Sequence, residues 1–305
     1  MPLVAILLCT YNGARFLKEQ LDSIDKQEHQ NFKIWASDDG STDSTLDILN
    51  TYRTAWGENK LHITSGPQEG FAANFLSLTC NPNIQGDFFA FADQDDIWQA
   101  DKLSQALSQL QAIPADVPTL YCARTRLIDE ANNKTGYSPL YKRRPSFNNA
   151  LVQSLASGNT MVMNKAARDI LCKIGLVNIA SHDWWAYIMV NAVGGVVLYD
   201  TEPRVLYRQH DQNVLGAPPG WRASSKRIKL LLEGRFKRWN DINIEALQKA
   251  SELLTPENKA ILDAFRKARS GNILTRVTRL LASGVYRQTI VGGLGLMFAA
   301  VMGKM

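Results

Sequence analysis

The first half of this 305-residue chain alternates short apolar runs with amphipathic segments, and this alternation constrains the fold more than any other feature. Each apolar run is predicted as a strand, and each following segment repeats its apolar residues at helical intervals of three and four. The predicted strands are residues 4–10, 32–38, 61–65 and 87–93. Strands that alternate with helices form a mostly parallel sheet covered by helices on both faces, so we predict an α/β fold.

The later elements are less regular. The apolar patterns predict helices at 70–78, 98–110 and 182–194, and strands at 119–129, 160–164 and, in two pieces separated by Pro203, 196–210. From about residue 214 the chain becomes helical and rich in charge, after which Pro218-Pro219-Gly220 is typical of a hinge. We therefore predict an α/β domain over 1–213 and a basic helical region over 214–305.

Polar residues stand at the carboxyl ends of three predicted strands. These polar ends are Thr10-Tyr11-Asn12, Asp38-Asp39 and the acidic group 93–96. In open parallel sheets, ligands bind outside the carboxyl ends of the strands. The three ends are therefore expected to meet at one binding pocket.

The acidic group follows a strongly apolar run in the segment FFAFADQDDIW. On an extended backbone Asp93 and Asp95 point to the same side, where their like charges repel unless a divalent cation relieves them. Oxygen ligands of this kind suit Mg²⁺ or Mn²⁺. A solvated acidic turn is the alternative interpretation. Asp96 points the other way and is predicted to cap the helix that begins near Trp98.

The pair Asp38-Asp39 is open to two interpretations. The following Ser41 or Asp43 is placed to cap a helix, which would leave the two aspartates as an exposed polar cluster. Alternatively, one of the two carboxylates accepts the imide N–H of a pyrimidine base or a ribose hydroxyl.

The charge distribution excludes one class of partner and favours another. The formal net charge is +5, and its basic residues cluster late in the chain without a nucleic-acid-reading motif, so nucleic acid is not a predicted partner. Apolar residues at 230–232 and Phe236 lie among this basic cluster, a pattern typical of a helix on an anionic membrane surface. A helix packed on the α/β domain is the alternative. The basic cluster comprises Arg222, Lys226, Arg227, Lys229, Arg235, Lys237 and Arg238.

The apolar segment 290–302 also favours association with a membrane, although it is shorter than the roughly 20 residues of a spanning helix. The four cysteines are widely separated and lack metal-ligand spacing, which is typical of buried thiols in a reducing compartment.

Three blocks, VAILLCTYNGARFLKEQLDSI, IWASDDGSTDSTLDIL and GDFFAFADQDDIW, resemble family 2 glycosyltransferases of the GT-A fold in their order and spacing. The resemblance covers about residues 3–213. The form ADQDDIW and the later LYRQH are most similar to bacterial rhamnosyltransferase-like enzymes of surface polysaccharide synthesis.

The resemblance implies roles for individual residues. A nucleotide sugar would contact Thr10, Tyr11, Asn12, Asp38, Asp39, Asp93 and Arg208. Asp95 would bind the metal together with Asp93 and His210. Asp183, in the segment HDWW, would be the catalytic base, and Gly158, Asn159 and Trp184 would form the acceptor side. An ordinary helix cap remains the alternative for Asp183, and core packing the alternative for a tryptophan of this segment.

The resemblance implies inverting, metal-dependent transfer of a sugar from a UDP- or dTDP-linked donor to a saccharide acceptor. The acceptor would be lipid-linked, in synthesis of O-antigen or capsule type, with Mg²⁺ or Mn²⁺ as cofactor. The expected location is the cytoplasm, at the inner face of the inner membrane. A non-catalytic module that binds nucleotide sugars is the alternative function.

Overall fold

The computed structural model describes residues 1–210 and 233–305 and contains two β-sheets with helices packed around them. The strands are β1 (Val4–Thr10), β2 (Phe32–Asp38), β3 (Leu61–Ser65), β4 (Phe88–Ala92), β5 (Ile97–Trp98), β6 (Thr119–Ala123), β7 (Arg126–Ile128), β8 (Lys134–Tyr137), β9 (Val162–Asn164), β10 (Val196–Asp200) and β11 (Val205–Arg208). The helices are α1 (Leu17–Asp25), α2 (Thr45–Trp56), α3 (Phe71–Thr79), α4 (Lys102–Leu110), α5 (Phe147–Ala150), α6 (Lys165–Ile174), α7 (His182–Ala192), α8 (Arg235–Lys249), α9 (Pro256–Ala268), α10 (Ile273–Ala282) and α11 (Ile290–Val301).

The larger sheet has seven strands in the order β10-β6-β9-β4-β1-β2-β3. Its strands pair in parallel except β9, which runs antiparallel to both β4 and β6. The predicted α/β fold with a mostly parallel sheet is thereby confirmed. The smaller sheet has the order β5-β11-β7-β8 and lies outside the sequence prediction.

Strand β1 shows why the larger sheet is covered on both faces. All seven of its residues are buried, and successive side chains point to opposite faces. Leu7 belongs to one hydrophobic cluster, with α7 and the C-terminal helices. Ile6 and Leu8 belong to the other cluster, with α1 and α4. A strand buried on both faces reads as a continuous apolar run, which is the pattern of VAILLCT.

Two predicted elements were wrong at their ends or in their continuity. The predicted helix 98–110 begins only at Lys102, because residues 97–98 form β5 and pair with β11 more than a hundred residues later. The predicted strand 119–129 is two strands, since the chain passes from the larger sheet into the smaller one at residues 124–125. Both errors come from partners that are distant in the sequence.

The C-terminal helices pack onto the α/β part of the chain. Leu247, Phe265 and Leu296 share a hydrophobic cluster with Trp185 and Ile188 of α7. None of the helices among residues 1–210 and 233–305 has both the length and the hydropathy needed to cross a membrane. The predicted boundary near 214, the Pro-Pro-Gly segment and most of the predicted basic helix lie outside the described residues.

Candidate active site

The carboxyl ends of β1, β2 and β4 meet at one edge of the larger sheet. Thr10 is in register with Asp38 on β2, and Leu8 is in register with Ala92, the last residue of β4. The Thr10 hydroxyl donates to Oδ1 of Asp38 over 2.8 Å. The polar residues that follow the three strands are therefore brought together, as the alternation of strands and helices predicts.

Asp38 organises the turn after β2. Its carboxylate accepts the backbone N–H of Ser41 at 2.8 Å and the hydroxyl of Ser41 at 2.6 Å, in addition to the Thr10 hydroxyl. The side chain is almost fully buried. Asp38 therefore connects the end of β1 to the turn after β2.

Asp39 organises the loop after β3. Its two carboxylate oxygens accept the backbone N–H groups of Gln68 at 2.7 Å and Gly70 at 3.0 Å. A side chain at Gly66 would overlap the region of Oδ1, since a Cβ there would lie 2.6 Å from that atom. Asp39 thus joins the end of β2 to the start of α3.

The loop after β1 presents an exposed aromatic ring beside a strained backbone position. Tyr11 is 59% exposed, and Asn12 has a φ of 48°. The Asn12 side chain accepts the backbone N–H of Thr42 at 2.8 Å, and its own N–H donates to the Ser41 hydroxyl at 2.8 Å. An asparagine tolerates this left-handed conformation better than most residues, and these two bonds hold it there.

Gln94, the central residue of the D-x-D, has a structural function that the sequence does not reveal. Its side-chain oxygen accepts the N–H of Tyr11 at 2.8 Å, and its amide donates to the Tyr11 carbonyl at 3.0 Å. The side chain therefore pairs with the β1 loop as a neighbouring strand would. Gly13 lies under this side chain, because a Cβ at that position would overlap Gln94.

Asp93 lies in a strongly acidic environment at the tip of β4. Burial, followed by the charges of Asp95 and Asp183, raises the pKa of its carboxyl to about 8. His182, the neighbour of Asp183 at the start of α7, packs against Phe91 of β4 with ring centroids 4.7 Å apart, so this helix begins beside the strand that leads into the D-x-D. The structure thus brings together the predicted metal-binding and catalytic aspartates.

Asp95 contacts the chain segment that follows β11. Its Oδ2 lies 2.7 Å from Nε2 of His210, and this imidazole packs against Phe16 with ring centroids 5.5 Å apart. Arg208 is fully buried, and its Nε donates to the Asp95 carbonyl at 2.8 Å. Its terminal nitrogens donate to Asn132 Oδ1 at 2.6 Å and Glu19 Oε2 at 3.0 Å.

Through these contacts Arg208 holds three segments of the chain together. The guanidinium connects the tip of β4 to α1 and to the loop between β7 and β8. The predicted contact of Arg208 with a nucleotide sugar stays a prediction.

Asp96 does not cap α4, contrary to the sequence prediction. It is fully buried, its Oδ1 accepts the backbone N–H of Arg208 at 3.0 Å, and its Oδ2 accepts from the side-chain amide of Asn159. The residue at the start of α4 is Asp101. Asp96 instead joins β4 to β11 and to the turn 158–160, which the local pattern of the sequence could not show.

The start of α7 lies against the glycine turn at 158–160. His182 is buried and stacks on Phe75 with centroids 3.7 Å apart, and Asp183 accepts the N–H of Trp184 at 2.7 Å. A Cβ at Gly158 would overlap His182 and lie 3.3 Å from the Cβ of Asp183. Glycine is therefore required for α7 to approach this turn.

Burial lowers the pKa of His182 to about 4, so the imidazole is neutral at physiological pH. Trp184 is buried as well, and its indole N–H donates to the Ala150 carbonyl at 2.6 Å. The structure thus places Trp184 in the hydrophobic core, which was the alternative that the sequence left open.

A cavity of about 300 Å³ opens between the β1 loop, the D-x-D and His210. Its lining includes Arg15, Phe16 and Glu130, which the sequence did not predict as site residues. Nothing in the local pattern of these residues distinguishes them from other residues. The lining residues are Asn12, Gly13, Arg15, Phe16, Asp43, Gln94, Asp95, Glu130 and His210.

The residues at the D-x-D fit a divalent cation that is held partly by substrate. Within the described ranges, no three side chains of His, Cys, Asp or Glu form a complete metal site. Mg²⁺ is commonly bound by one or two carboxylates together with substrate phosphates. Burial, followed by the negative charges of Asp95 and Asp183, raises the pKa of Asp93, and a bound cation would relieve the repulsion between these carboxylates.

Comparison with known proteins is consistent with this geometry. The family model described as Glycosyl transferase family 2 matches residues 5–171. The chain is 29% identical over 245 residues to the dTDP-rhamnosyl transferase RfbG of Shigella flexneri, covering 76% of this chain and 81% of the relative.

Solved structures share the fold at low sequence identity. S. aureus TarS 1-349 in complex with UDP-GlcNAc superposes with a TM-score of 0.56 and 16% identity, over 93% of this chain and 92% of TarS. The mannosyltransferase PcManGT of Pyrobaculum calidifontis, in complex with GDP-Man and Mn²⁺, superposes with a TM-score of 0.52 and 18% identity, over 99% and 86%. The larger sheet and its flanking helices are therefore the GT-A fold.

Proposed function

The chain belongs to glycosyl transferase family 2 and is a glycosyltransferase, and from this premise we propose that it performs an inverting, metal-dependent sugar transfer. The proposed donor is a UDP- or dTDP-linked sugar, and the proposed acceptor is a saccharide. The name of the Shigella relative supports a dTDP-linked donor. The observation on which the proposal rests is that α7 begins beside the end of β4, since His182, next to Asp183, packs against Phe91, two residues before Asp93, with ring centroids 4.7 Å apart.

The proposed reaction is a single displacement at the anomeric carbon of the donor. The acceptor oxygen forms the new bond while the bond to the nucleoside diphosphate breaks, and Asp183 takes the proton of the acceptor hydroxyl. Asp183 lies in the first turn of α7, where the helix dipole favours a negative charge. This arrangement keeps the carboxylate available as a base.

The donor would occupy the edge where β1, β2 and β4 end. We propose that Tyr11 stacks on the base, and that Thr10, Asn12, Asp38 and Asp39 shape its site. Asp93, Asp95 and His210 would hold Mg²⁺ or Mn²⁺ together with the diphosphate of the donor, because the three side chains do not form a complete site by themselves. When bound, the cation would supply positive charge to stabilise the departing diphosphate.

The remaining predicted residues act on the other side of the pocket or beneath it. Gly158 would give the acceptor access to Asp183. Asn159, Trp184 and Arg208 are buried, so we propose that they position the turn, the helix and the D-x-D, respectively.

The biological setting is part of the same proposal. We propose a lipid-linked acceptor in surface polysaccharide synthesis, and a location at the cytoplasmic face of the inner membrane. The proposed division of the chain is a GT-A domain at 1–213 and a helical region at 214–305. Nucleic acid is not a proposed partner.

Donor binding tests the metal site. The full chain should be stabilised by dTDP or UDP in thermal shift experiments more strongly with Mn²⁺ than with EDTA, whereas GDP should have a smaller effect. Asp95→Asn should remove the metal-dependent part of the shift, because it removes a charged ligand. Asp116→Asn, on an exposed turn outside the pocket, is the matched control. Unchanged metal dependence in Asp95→Asn would refute the metal site.

Transfer tests the base. Asp183→Asn should keep metal-dependent nucleotide binding and lose at least about 100-fold in the rate of transfer, since the amide cannot accept the proton. The rate is measured as nucleoside diphosphate release from a dTDP-sugar in the presence of acceptor. Transfer by Asp183→Asn at the wild-type rate would show that Asp183 is only a helix cap. Nucleotide binding by the wild-type chain without any transfer would support the non-catalytic module.

A further inference from the structure

Helices α10 and α11 expose an unusual amount of apolar surface. On α11, Ile290 is 85% exposed, Val291 80% and Leu294 67%, and Phe298 continues the same stripe one turn later. The stripe follows the spacing of one helix face. The opposite side of α11 is buried, and Leu296, Ala299 and Ala300 belong to the hydrophobic core.

Helix α10 extends this apolar surface. Leu274 and Leu281 are 73% and 65% exposed and lie seven residues apart, on one face of the helix. Leu281 and Ile290 both line a groove of about 250 Å³ between the two helices. The two exposed stripes therefore border the same opening and form one surface, which we call the apolar face.

The part of the sequence that contains the apolar face has basic side chains and no acidic ones. Residues 264–305 contain no aspartate or glutamate. Their basic residues are Arg266, Lys267, Arg269, Arg276, Arg279, Arg287 and Lys304. Arg143 and Arg287 also line the groove. An apolar stripe with a basic surround is complementary to anionic lipid, whereas a second copy of this chain would bring like charges together.

We propose that the apolar face docks the enzyme onto an anionic phospholipid bilayer, with α10 and α11 lying in the plane of the interface. The helices have 10 and 12 residues, too short to cross the hydrocarbon layer. Their exposed apolar residues lie on the side away from the core, as an interfacial helix requires. This docking proposal rests on the proposed function, and specifically on its lipid-linked acceptor. It adds the surface through which the enzyme would approach the lipid.

The loop between the two helices fixes the apolar face relative to the active site. Gln288 donates its backbone N–H to Gln153 at 2.9 Å, and Asn149 donates its side-chain amide to the Tyr286 carbonyl at 3.0 Å. The same Asn149 accepts the hydroxyl of Tyr187 at 2.9 Å. Since Tyr187 is one turn from Asp183 on α7, docking would set the direction in which the catalytic helix faces the membrane.

Vesicle co-sedimentation of the full chain tests the docking surface. The wild-type chain should bind phosphatidylcholine vesicles that contain phosphatidylglycerol, bind pure phosphatidylcholine vesicles more weakly, and dissociate as salt rises. The triple variant Ile290→Gln, Val291→Gln, Leu294→Gln should lose roughly tenfold or more in partitioning, because it removes most of the apolar insertion. The control Leu176→Gln, at a 70% exposed leucine outside the C-terminal helices, should bind as the wild type does.

Two outcomes would overturn the docking proposal: wild-type partitioning by the triple variant, or a concentration-dependent dimer that the triple variant abolishes. The second would identify the face as a contact between copies. The triple variant should keep its metal-dependent dTDP shift, and Asp95→Asn should keep vesicle binding. Failure of the docking surface and failure of the sugar-transfer site are thereby distinguished.

Discussion

At the scale of single residues, His182 is a buried imidazole in a setting unlike water. Neither ring nitrogen has a hydrogen-bond partner among the described residues, and the ring is sandwiched between Phe75 and the turn at Gly158. Burial lowers its pKa to about 4, whereas an unfolded chain has a histidine pKa near 6.5. The unfolded state therefore binds a proton more readily than the folded state.

This difference predicts a pH-dependent stability. The contribution of neutral His182 is fully present above about pH 6.5 and is lost as pH falls toward 4, by about 2 kcal/mol between pH 7.5 and 5. His182→Gln cannot titrate and should lose this part of the slope. The measurement is urea unfolding at several pH values, with His29→Gln as the comparison at a histidine bonded to Pro2. Equal slopes in wild type and His182→Gln would contradict the prediction.

At the scale of secondary structure elements, β1 and β4 are joined beyond their ends by Gln94. The amide side chain makes two hydrogen bonds to the backbone of Tyr11 and occupies the space above Gly13. These contacts extend the parallel pair of strands into the pocket. The neutral residue between the two aspartates thus connects the D-x-D to the loop after β1.

The contact between Gln94 and Gly13 predicts a coupled pair of substitutions. Gly13→Ala should destabilise the fold by about 1–3 kcal/mol through overpacking. In a Gln94→Ala background the same substitution should have a much smaller effect, which a double-mutant cycle of urea unfolding would measure.

Gly295→Ala is the matched control for this cycle, because an added Cβ there meets no atom within 4 Å. Additive effects of Gly13→Ala and Gln94→Ala would show that the two residues do not interact.

At the scale of the whole molecule, Asn149 joins α7 to the loop that leads into the last C-terminal helix. It is fully buried, its amide donates to the Tyr286 carbonyl, and its oxygen accepts from Tyr187 and from Gln288 at 3.4 Å. Three regions of the chain meet at one side chain. Removal of this side chain would leave buried polar groups without partners.

Asn149→Ala should therefore destabilise the protein by about 2 kcal/mol or more, because each unsatisfied buried group costs about 1–3 kcal/mol. Hydrogen exchange should accelerate selectively over residues 283–301. Asn148→Ala, which removes one bond to the Ser283 carbonyl, should have a smaller effect. Unchanged exchange over 283–301 would show that Asn149 does not hold the C-terminal helices.

The sequence alone determined the parallel sheet, the convergence of polar strand ends and the position of the D-x-D. These features are local: an apolar run such as VAILLCT and its following polar turn are readable within about ten residues. The family resemblance extended this information to Asp183, and the structure places the start of its helix beside β4, where His182 packs against Phe91. Its function as a base remains a prediction.

Only the tertiary structure decided which of the predicted site residues are buried and which line the cavity. Arg208 and Trp184 have polar atoms suited to binding, yet both are buried, the first against α1 and the second on Ala150. Asp96 pairs with Arg208, 112 residues later, rather than with its own helix. Burial depends on contacts between distant segments, and a local pattern contains no information about such contacts.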